Sequence, residues 1–243
     1  RVQQGHGLMF TVGPAFWGAA VGDPYVSDVV ALLHFNEADG TATPASVLGS
    51  PTVSNDGSGS APATNAVKST SARFGAGGWL SAGGGTGLKV SETTGAAAPY
   101  TIEFFFNPVT FGAFGRFFNV ASSGSGVDFG LAAPAGSVKY VDVTGTNQNT
   151  TGTVSTGTWY FMAVCFDGTN VRVYQNGTLI FTSSAFARGL SSTTVTLGMG
   201  CSVGMGGADG TASFDELRWT HGVDRSAGGT TPPATPTAEF PNS

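Results

Sequence analysis

The clearest alternation of apolar and polar positions lies in residues 158–182. Thr158-Trp-Tyr-Phe-Met-Ala-Val-Cys-Phe-Asp167 is almost wholly apolar and rich in aromatic and β-branched side chains, as a strand buried on both faces should be. Asp167-Gly168 breaks that run. Val171 and Val173 then alternate with Arg172 and Tyr174, a period of two that predicts a further strand. Asn176-Gly177 supplies two residues tolerant of positive φ, which a two-residue hairpin turn requires. The stretch therefore reads as three strands joined by two tight turns.

The same reading extends along the chain. Strands are expected at residues 29–35, at 66–74 and 78–82 across Gly75-Ala-Gly, and at 100–106, where Asn107-Pro108 should stop the ladder. More follow at 116–121, 127–132, 137–143, 193–197 and 212–220, whereas residues 36–60 read as a loop. Strands about ten residues apart with Gly- and Ser-rich turns mark a β-sandwich or jelly roll. No segment carries apolar residues at i, i+3, i+4 and i+7 in a convincing run. The expected fold is all-β, a two-sheet antiparallel sandwich over residues 25–227, with an extended arm at 1–24 and a Pro-rich tail at 228–243. In the arm, glycines interrupt Leu8, Met9, Phe10, Phe16 and Trp17, so it cannot bury its aromatics alone. It either folds back over the domain or docks on a neighbouring subunit, with Phe10, Phe16 and Trp17 as the docking residues.

Composition narrows the function. Hydrophobic residues make up 40%, enough for a core, but charged residues only 10%, against roughly 25% in ordinary globular chains. The net charge of −5 argues against non-specific nucleic-acid binding, which needs a basic face. No apolar stretch approaches the ~18–20 residues that span a bilayer, and the first 26 residues lack the pattern of a signal peptide. Cys165 falls in a buried-strand pattern and Cys201 in a Gly/Met-rich run; a disulfide is compatible with the sequence, and two free thiols are expected. With no Cys-x-x-Cys and with His6, His34 and His221 scattered, no zinc site is expected and the histidines read as structural.

Several motifs, in order, resemble the laminin-G-like, concanavalin A-like jelly-roll domains. The opening segment Asp23-Pro-Tyr-Val-Ser-Asp-Val-Val-Ala-Leu-Leu-His-Phe-Asn-Glu-Ala-Asp-Gly40 is similar to the first strand of that family in its bacteriophage virion versions. Ala72-Arg-Phe-Gly75, Trp79-Leu80, Tyr100-Thr-Ile-Glu103, Trp159-Tyr160, Val171-Arg-Val-Tyr-Gln-Asn-Gly177 and Phe214-Asp-Glu-Leu-Arg-Trp219 resemble its later landmarks. Phe161 stands where the family often has a histidine, and the arm before Asp23 has no counterpart. The resemblance implies a phage virion structural protein, a head decoration or tail component that contacts other capsid or tail subunits and presents a surface to host glycans. The alternative is a secreted lectin-like adhesion module; a glycoside hydrolase on the same scaffold is less favoured.

The fold's glucanases place acids two apart on one strand, and retaining hydrolysis needs two carboxyl groups about 5–5.5 Å apart. Here the matching strand offers only Glu103, while Asp215 and Glu216 are adjacent and should point to opposite faces. No enzyme is therefore expected, and Glu103 should pair with an arginine, bond backbone donors or face solvent. The resemblance also implies Ca²⁺ between Asp39 in the first loop and Asp215 in the closing strand, with Asn36 or Glu37 nearby. Otherwise Asp39-Gly40 is a turn and Asp215 caps a hydrogen-bond network. For sugars, Trp79, Tyr140, Tyr174 and Trp219 with Asn147, Gln148 and Asn149 supply the right side chains, without selecting a glycan site.

Overall fold

The structure is a computed structural model, which describes residues 22–56, 66–81, 87–92, 99–113, 115–122, 127–142, 144–183, 194–200 and 210–243. Phe10, Phe16, Trp17, His6 and Cys201 lie outside the described residues. The strands of the first half are β1 (Val29–Leu33), β2 (Leu48–Gly49), β3 (Thr52–Asp56), β4 (Ala66–Lys68), β5 (Gly78–Ser81), β6 (Gly87–Glu92), β7 (Tyr100–Pro108) and β8 (Arg116–Ser122). Those of the second half are β9 (Val127–Ala132), β10 (Ser137–Val141), β11 (Asn147–Thr153), β12 (Tyr160–Phe166), β13 (Val171–Gln175), β14 (Thr178–Ser183), β15 (Val195–Met199) and β16 (Ala212–His221). They form two antiparallel sheets. One runs β14-β13-β12-β7-β16-β1-β2, with β5 and β4 added beside β16; the other runs β11-β10-β9-β8-β15-β6-β3.

Two apolar layers explain the chain's longest hydrophobic runs. Ile102, Phe104 and Phe106 of β7 face the second sheet, where Phe118, Val120, Phe129, Leu131 and Leu197 complete the inter-sheet core. Phe104 stacks on Phe118 at 4.9 Å between ring centroids, and Phe106 on Phe117 at 3.9 Å. The alternate residues of the first sheet do not meet water either. Leu32, Phe105, Phe161, Ala163, Cys165 and Tyr174 form an outer layer with Phe240. This second burial is why Tyr100-Thr-Ile-Glu-Phe-Phe-Phe106 lacks alternation: both of its faces are covered. Each such aromatic contributes about 1.5–3 kcal/mol when fully buried.

The Pro-rich tail supplies that cover. Beyond a 3₁₀ turn at Ala227–Gly229 it has no regular structure, and it packs on the domain. Phe240, its only aromatic residue, is 4% exposed and meets Phe161 edge-on at 6.5 Å. At the end of the segment the Ser243 carbonyl accepts the Asp23 N–H at 3.1 Å.

The predicted hairpin forms as read. Asn176 and Gly177 both take positive φ, 50° and 76°, between β13 and β14. Asn176 Oδ1 also accepts the Phe161 N–H at 2.8 Å, which ties the turn to β12. Asp167 shapes the other turn by accepting the Thr169 and Asn170 amides and Arg172 Nη1. Several strands differ from expectation. β3 lies in the segment read as a loop, and β11 carries Asn147, Gln148 and Asn149, read as loop residues. β3 and β11 lie at the edges of the second sheet, where strands need little apolar surface. The strand expected at 66–74 ends at Lys68 in a 3₁₀ turn. β7 continues through Pro108, which is its last residue and so costs no central ladder bond.

Candidate functional site

The site is built by the pairing of the first and last strands. β1 runs antiparallel to β16 with Leu33 opposite Leu217, so the residues beyond, His34 and Glu216, become neighbours. A β-bulge sharpens this. Against β7, Asp215 faces Phe105 and Arg218 faces Glu103, so Glu216 and Leu217 together oppose Phe104. Glu216 takes φ 54°, and Phe35, just past β1, takes φ 58°. Two non-glycine residues in the left-handed region, at roughly 1–3 kcal/mol each, flank one spot. The expectation that Asp215 and Glu216 point to opposite faces fails here. The bulge takes Glu216 out of the ladder, and both carboxylates meet groups packed on the outer layer.

Asp215 is fully buried, and its Oδ2 accepts the N–H groups of Arg73 and Phe74 at 2.7 and 2.8 Å. Burial pushes its carboxyl up to about 7, against those amides and with the Glu216 charge adding to the rise. Glu216 Oε1 and Oε2 lie 2.8 and 2.9 Å from His34 Nδ1, and Oε2 also accepts the Phe240 N–H at 2.8 Å. The Glu216 bond raises the His34 pKa; burial opposes this, and the charges of Glu216, Glu239 and Asp215 add to it. Asn36 Nδ2 donates to Glu239 Oε1 at 2.7 Å while its Oδ1 accepts the Ala76 N–H. A cleft opens over this corner, walled by His34, Asn36, Glu37, Val47, Glu239 and Phe240. One atom each from His34, Glu216 and Glu239 lie within 4.8 Å of one another.

A second polar cluster sits nearby on the first sheet. Arg218 donates from Nε to Glu103 Oε2 at 2.8 Å and from Nη1 to Asp23 Oδ2 at 2.9 Å. Arg225 grips Asp23 through Nη1 and Nη2 at 3.0 and 2.7 Å and comes within 3.5 Å of Glu103. Glu103 is thus paired with arginine, the first of the roles expected for it.

The remaining sequence candidates fall as follows. The side chain of Asp39 is 61% exposed and lies 4.0 Å from Lys68 Nζ, whereas Asp215 is enclosed by backbone N–H donors. Asp39 and Asp215 are not among the ligand atoms that the described residues gather at one point. Trp79, Tyr140, Tyr174 and Trp219 are all fully buried, so none offers a stacking platform. Gln148 is bound to Asp142 and Asn149 to Lys139. His34, read as unpaired, is the centre of the corner; the pointer to it was the register of the first and closing strands.

A family model described as the concanavalin A-like lectin/glucanases superfamily matches residues 82–223, more than half of the chain. No curated protein matches by sequence. Among solved structures, the chain is similar to domain 4 of AbnA, a GH43 extracellular arabinanase from Geobacillus stearothermophilus, in complex with arabinotriose. That likeness has 16% identity and a TM-score of 0.62, covering 82% of this chain and 95% of that one. It is also similar to Trypanosoma rangeli sialidase, at 13% identity and TM-score 0.59, over 80% of this chain and 30% of that one. A third is the botulinum neurotoxin type G receptor binding domain, at 12% identity and TM-score 0.54, over 83% and 49%. These likenesses concern the fold.

Proposed function

The chain belongs to the concanavalin A-like lectin/glucanases superfamily, and from that premise we propose a non-enzymatic binding module that presents a glycan-adhesive surface in a bacteriophage virion. The observation that carries the non-enzymatic part is how the buried carboxylates are used. Glu103 and Asp23 are held by Arg218 and Arg225, Asp215 by the Arg73 and Phe74 amides, and Glu216 by His34 and the Phe240 N–H. An acid committed to such partners holds the scaffold and is not free to protonate a leaving group. The fold's usual ligand class supports the glycan, and the order of the sequence motifs supports the virion setting. There the arm docks through Phe10, Phe16 and Trp17 on capsid or tail subunits.

Two assays test this. Reducing-sugar release from β-glucans, arabinans and host polysaccharides should stay at background, while a glycan array should show selective retention. Deleting residues 1–22 should leave a folded domain that no longer incorporates into particles; normal incorporation would refute the docking role. One observation favours a second reading, a glycosidase in the cleft: Glu216 and Glu239 bring two carboxylates together there, with oxygens no more than 4.8 Å apart, and a retaining glycosidase needs a close carboxyl pair. Sugar release that Glu239→Gln removes would select it.

A further inference from the structure

The arginine cluster on the outer face of the first sheet leaves one strong acceptor unused. Glu103 of β7 stands opposite Arg218 of β16, and its side chain is only 3% exposed. Its arginine contacts all fall on Oε2: Arg218 Nε at 2.8 Å, Arg218 Nη2 at 2.7 Å and Arg225 Nε at 3.5 Å. Oε1 has no partner among the described residues, yet it is not sealed from solvent. Glu103 lines a pocket of about 310 Å³ with Tyr25, Arg218, Arg225, Pro232 and Pro233, and Oε1 therefore meets whatever fills that pocket. The volume lies at the small end of the roughly 300–1,000 Å³ of small-molecule sites.

The charges beneath the pocket cancel. Arg218 and Arg225 are paired with Asp23 and Glu103, two positive groups against two negative. Such a floor favours a neutral ligand over an ion. Each guanidinium carries five N–H groups and commits three, Arg218 to Glu103 and Asp23, Arg225 to Thr220 and Asp23. Donors thus remain in the same floor as the Oε1 acceptor. A hydroxyl, which both donates and accepts, can use both.

The lip of the pocket is apolar. Tyr25 is 40% exposed, the one exposed aromatic side chain among the described residues. Its position is fixed: Arg225 Cζ lies 5.1 Å from the ring centroid, and the Tyr25 N–H donates to Asp23 Oδ1 at 3.0 Å. A ring held in this way offers its negative π face to the weakly positive C–H face of a sugar. Pro232 and Pro233 add apolar wall.

We infer that this pocket is the module's glycan site and takes a neutral sugar unit. Tyr25 stacks on the sugar ring, Glu103 Oε1 accepts from its hydroxyls, and Arg218 and Arg225 donate to its oxygens. The inference rests on the glycan-binding reading above and adds where the glycan sits and which sugars it carries. Acidic sugars are disfavoured, because they bring a second carboxylate against Oε1. Glu103, gripped on Oε2 by both arginines, serves as an acceptor and not as an acid, in keeping with binding without cleavage.

The test places the full chain on an array of immobilised neutral, sialylated and uronic-acid glycans, followed by titration calorimetry with the neutral oligosaccharide retained best. The unaltered chain should retain neutral glycans and pass over the acidic ones. Tyr25→Ala should weaken binding by roughly tenfold or more with Tm unchanged, whereas Tyr25→Phe keeps the ring and should keep the affinity. Leu179→Ala, at another exposed apolar side chain, should bind as the unaltered chain does. Undiminished affinity in Tyr25→Ala, or retention confined to acidic glycans, would overturn this site and leave glycan binding standing. Retention of no glycan at all would overturn both.

Discussion

Replacing Arg218 by Met isolates the part of the scaffold that holds Glu103 in place. The substitution deletes the Glu103 bonds at 2.8 and 2.7 Å, the Asp23 bond at 2.9 Å, and the guanidinium face 3.9 Å over the Phe240 ring. Asp23 keeps Arg225 at 3.0 and 2.7 Å, but Glu103, only 3% exposed, is left with Arg225 Nε at 3.5 Å. One buried carboxylate is therefore stranded, not two. Stripping one partner from a buried ion pair costs about 3–5 kcal/mol. The lost contact with Phe240 adds roughly 0.5–2 kcal/mol. Because Arg225 can still reach Glu103, the lower part of the summed range, about 3.5–5 kcal/mol, is expected. That is a large share of the ~5–15 kcal/mol typical of a domain. Urea unfolding followed by tryptophan fluorescence should show a lower midpoint at an unchanged slope. Pairing Arg218→Met with Glu103→Gln removes the stranded charge and should recover more than half of the loss. A single variant that loses less than about 1 kcal/mol, the ceiling for an exposed pair, would refute the reasoning. So would a double variant no better than the single.

Other perturbations reach different parts of the fold. Asn176→Gly keeps the positive φ but loses the bond to the Phe161 N–H and should cost about 1 kcal/mol, whereas Asn176→Ala also takes on left-handed strain and should cost about 2–3 kcal/mol in the same assay. Phe240→Ala should cost about 3–5 kcal/mol if the tail belongs to the cooperative unit, and hydrogen exchange should rise first at the Phe240 amide. For Asp167, burial works against the charge, but the Asn170 amide, Arg172 and the Thr169 amide outweigh it and hold the carboxyl below its usual range. A depressed carboxyl contributes stability above the unfolded value of 3.8 and loses it as the pH falls through the folded value. Thermal scans should therefore show Asp167→Asn costing stability at pH 7 and progressively less below pH 4; an equal cost at both ends would contradict the sign.

The fold was legible wherever local chemistry decides it. Asn176-Gly177 supplies the positive φ that its turn needs, and Val171 and Val173 face the inter-sheet core as their alternation says. The polar edge strand β11 was not legible, because Asn-Gln-Asn-Thr-Thr-Gly-Thr has no apolar face to declare a strand; its pairing with β10 defines it. The tail's proline content says nothing of its docking, which depends on Phe240 finding the outer face of the first sheet. The cleft was illegible for a similar reason. His34, Glu216 and Glu239 come from distant parts of the chain, and the bulge that frees Glu216 shows only in the register of β16 against β7. The Leu-Leu-His-Phe and Phe-Asp-Glu-Leu segments were each visible, yet their junction appears only once β1 is laid against β16.

The central claim is that the chain binds glycans without cutting them. Its most direct test is to incubate the intact protein with a defined panel of oligosaccharides and polysaccharides, recover the protein-bound fraction, and measure the glycans by mass spectrometry. A restricted set of glycans should be retained, at full length. Retention of none, or recovery of shortened products with new reducing ends, would contradict it.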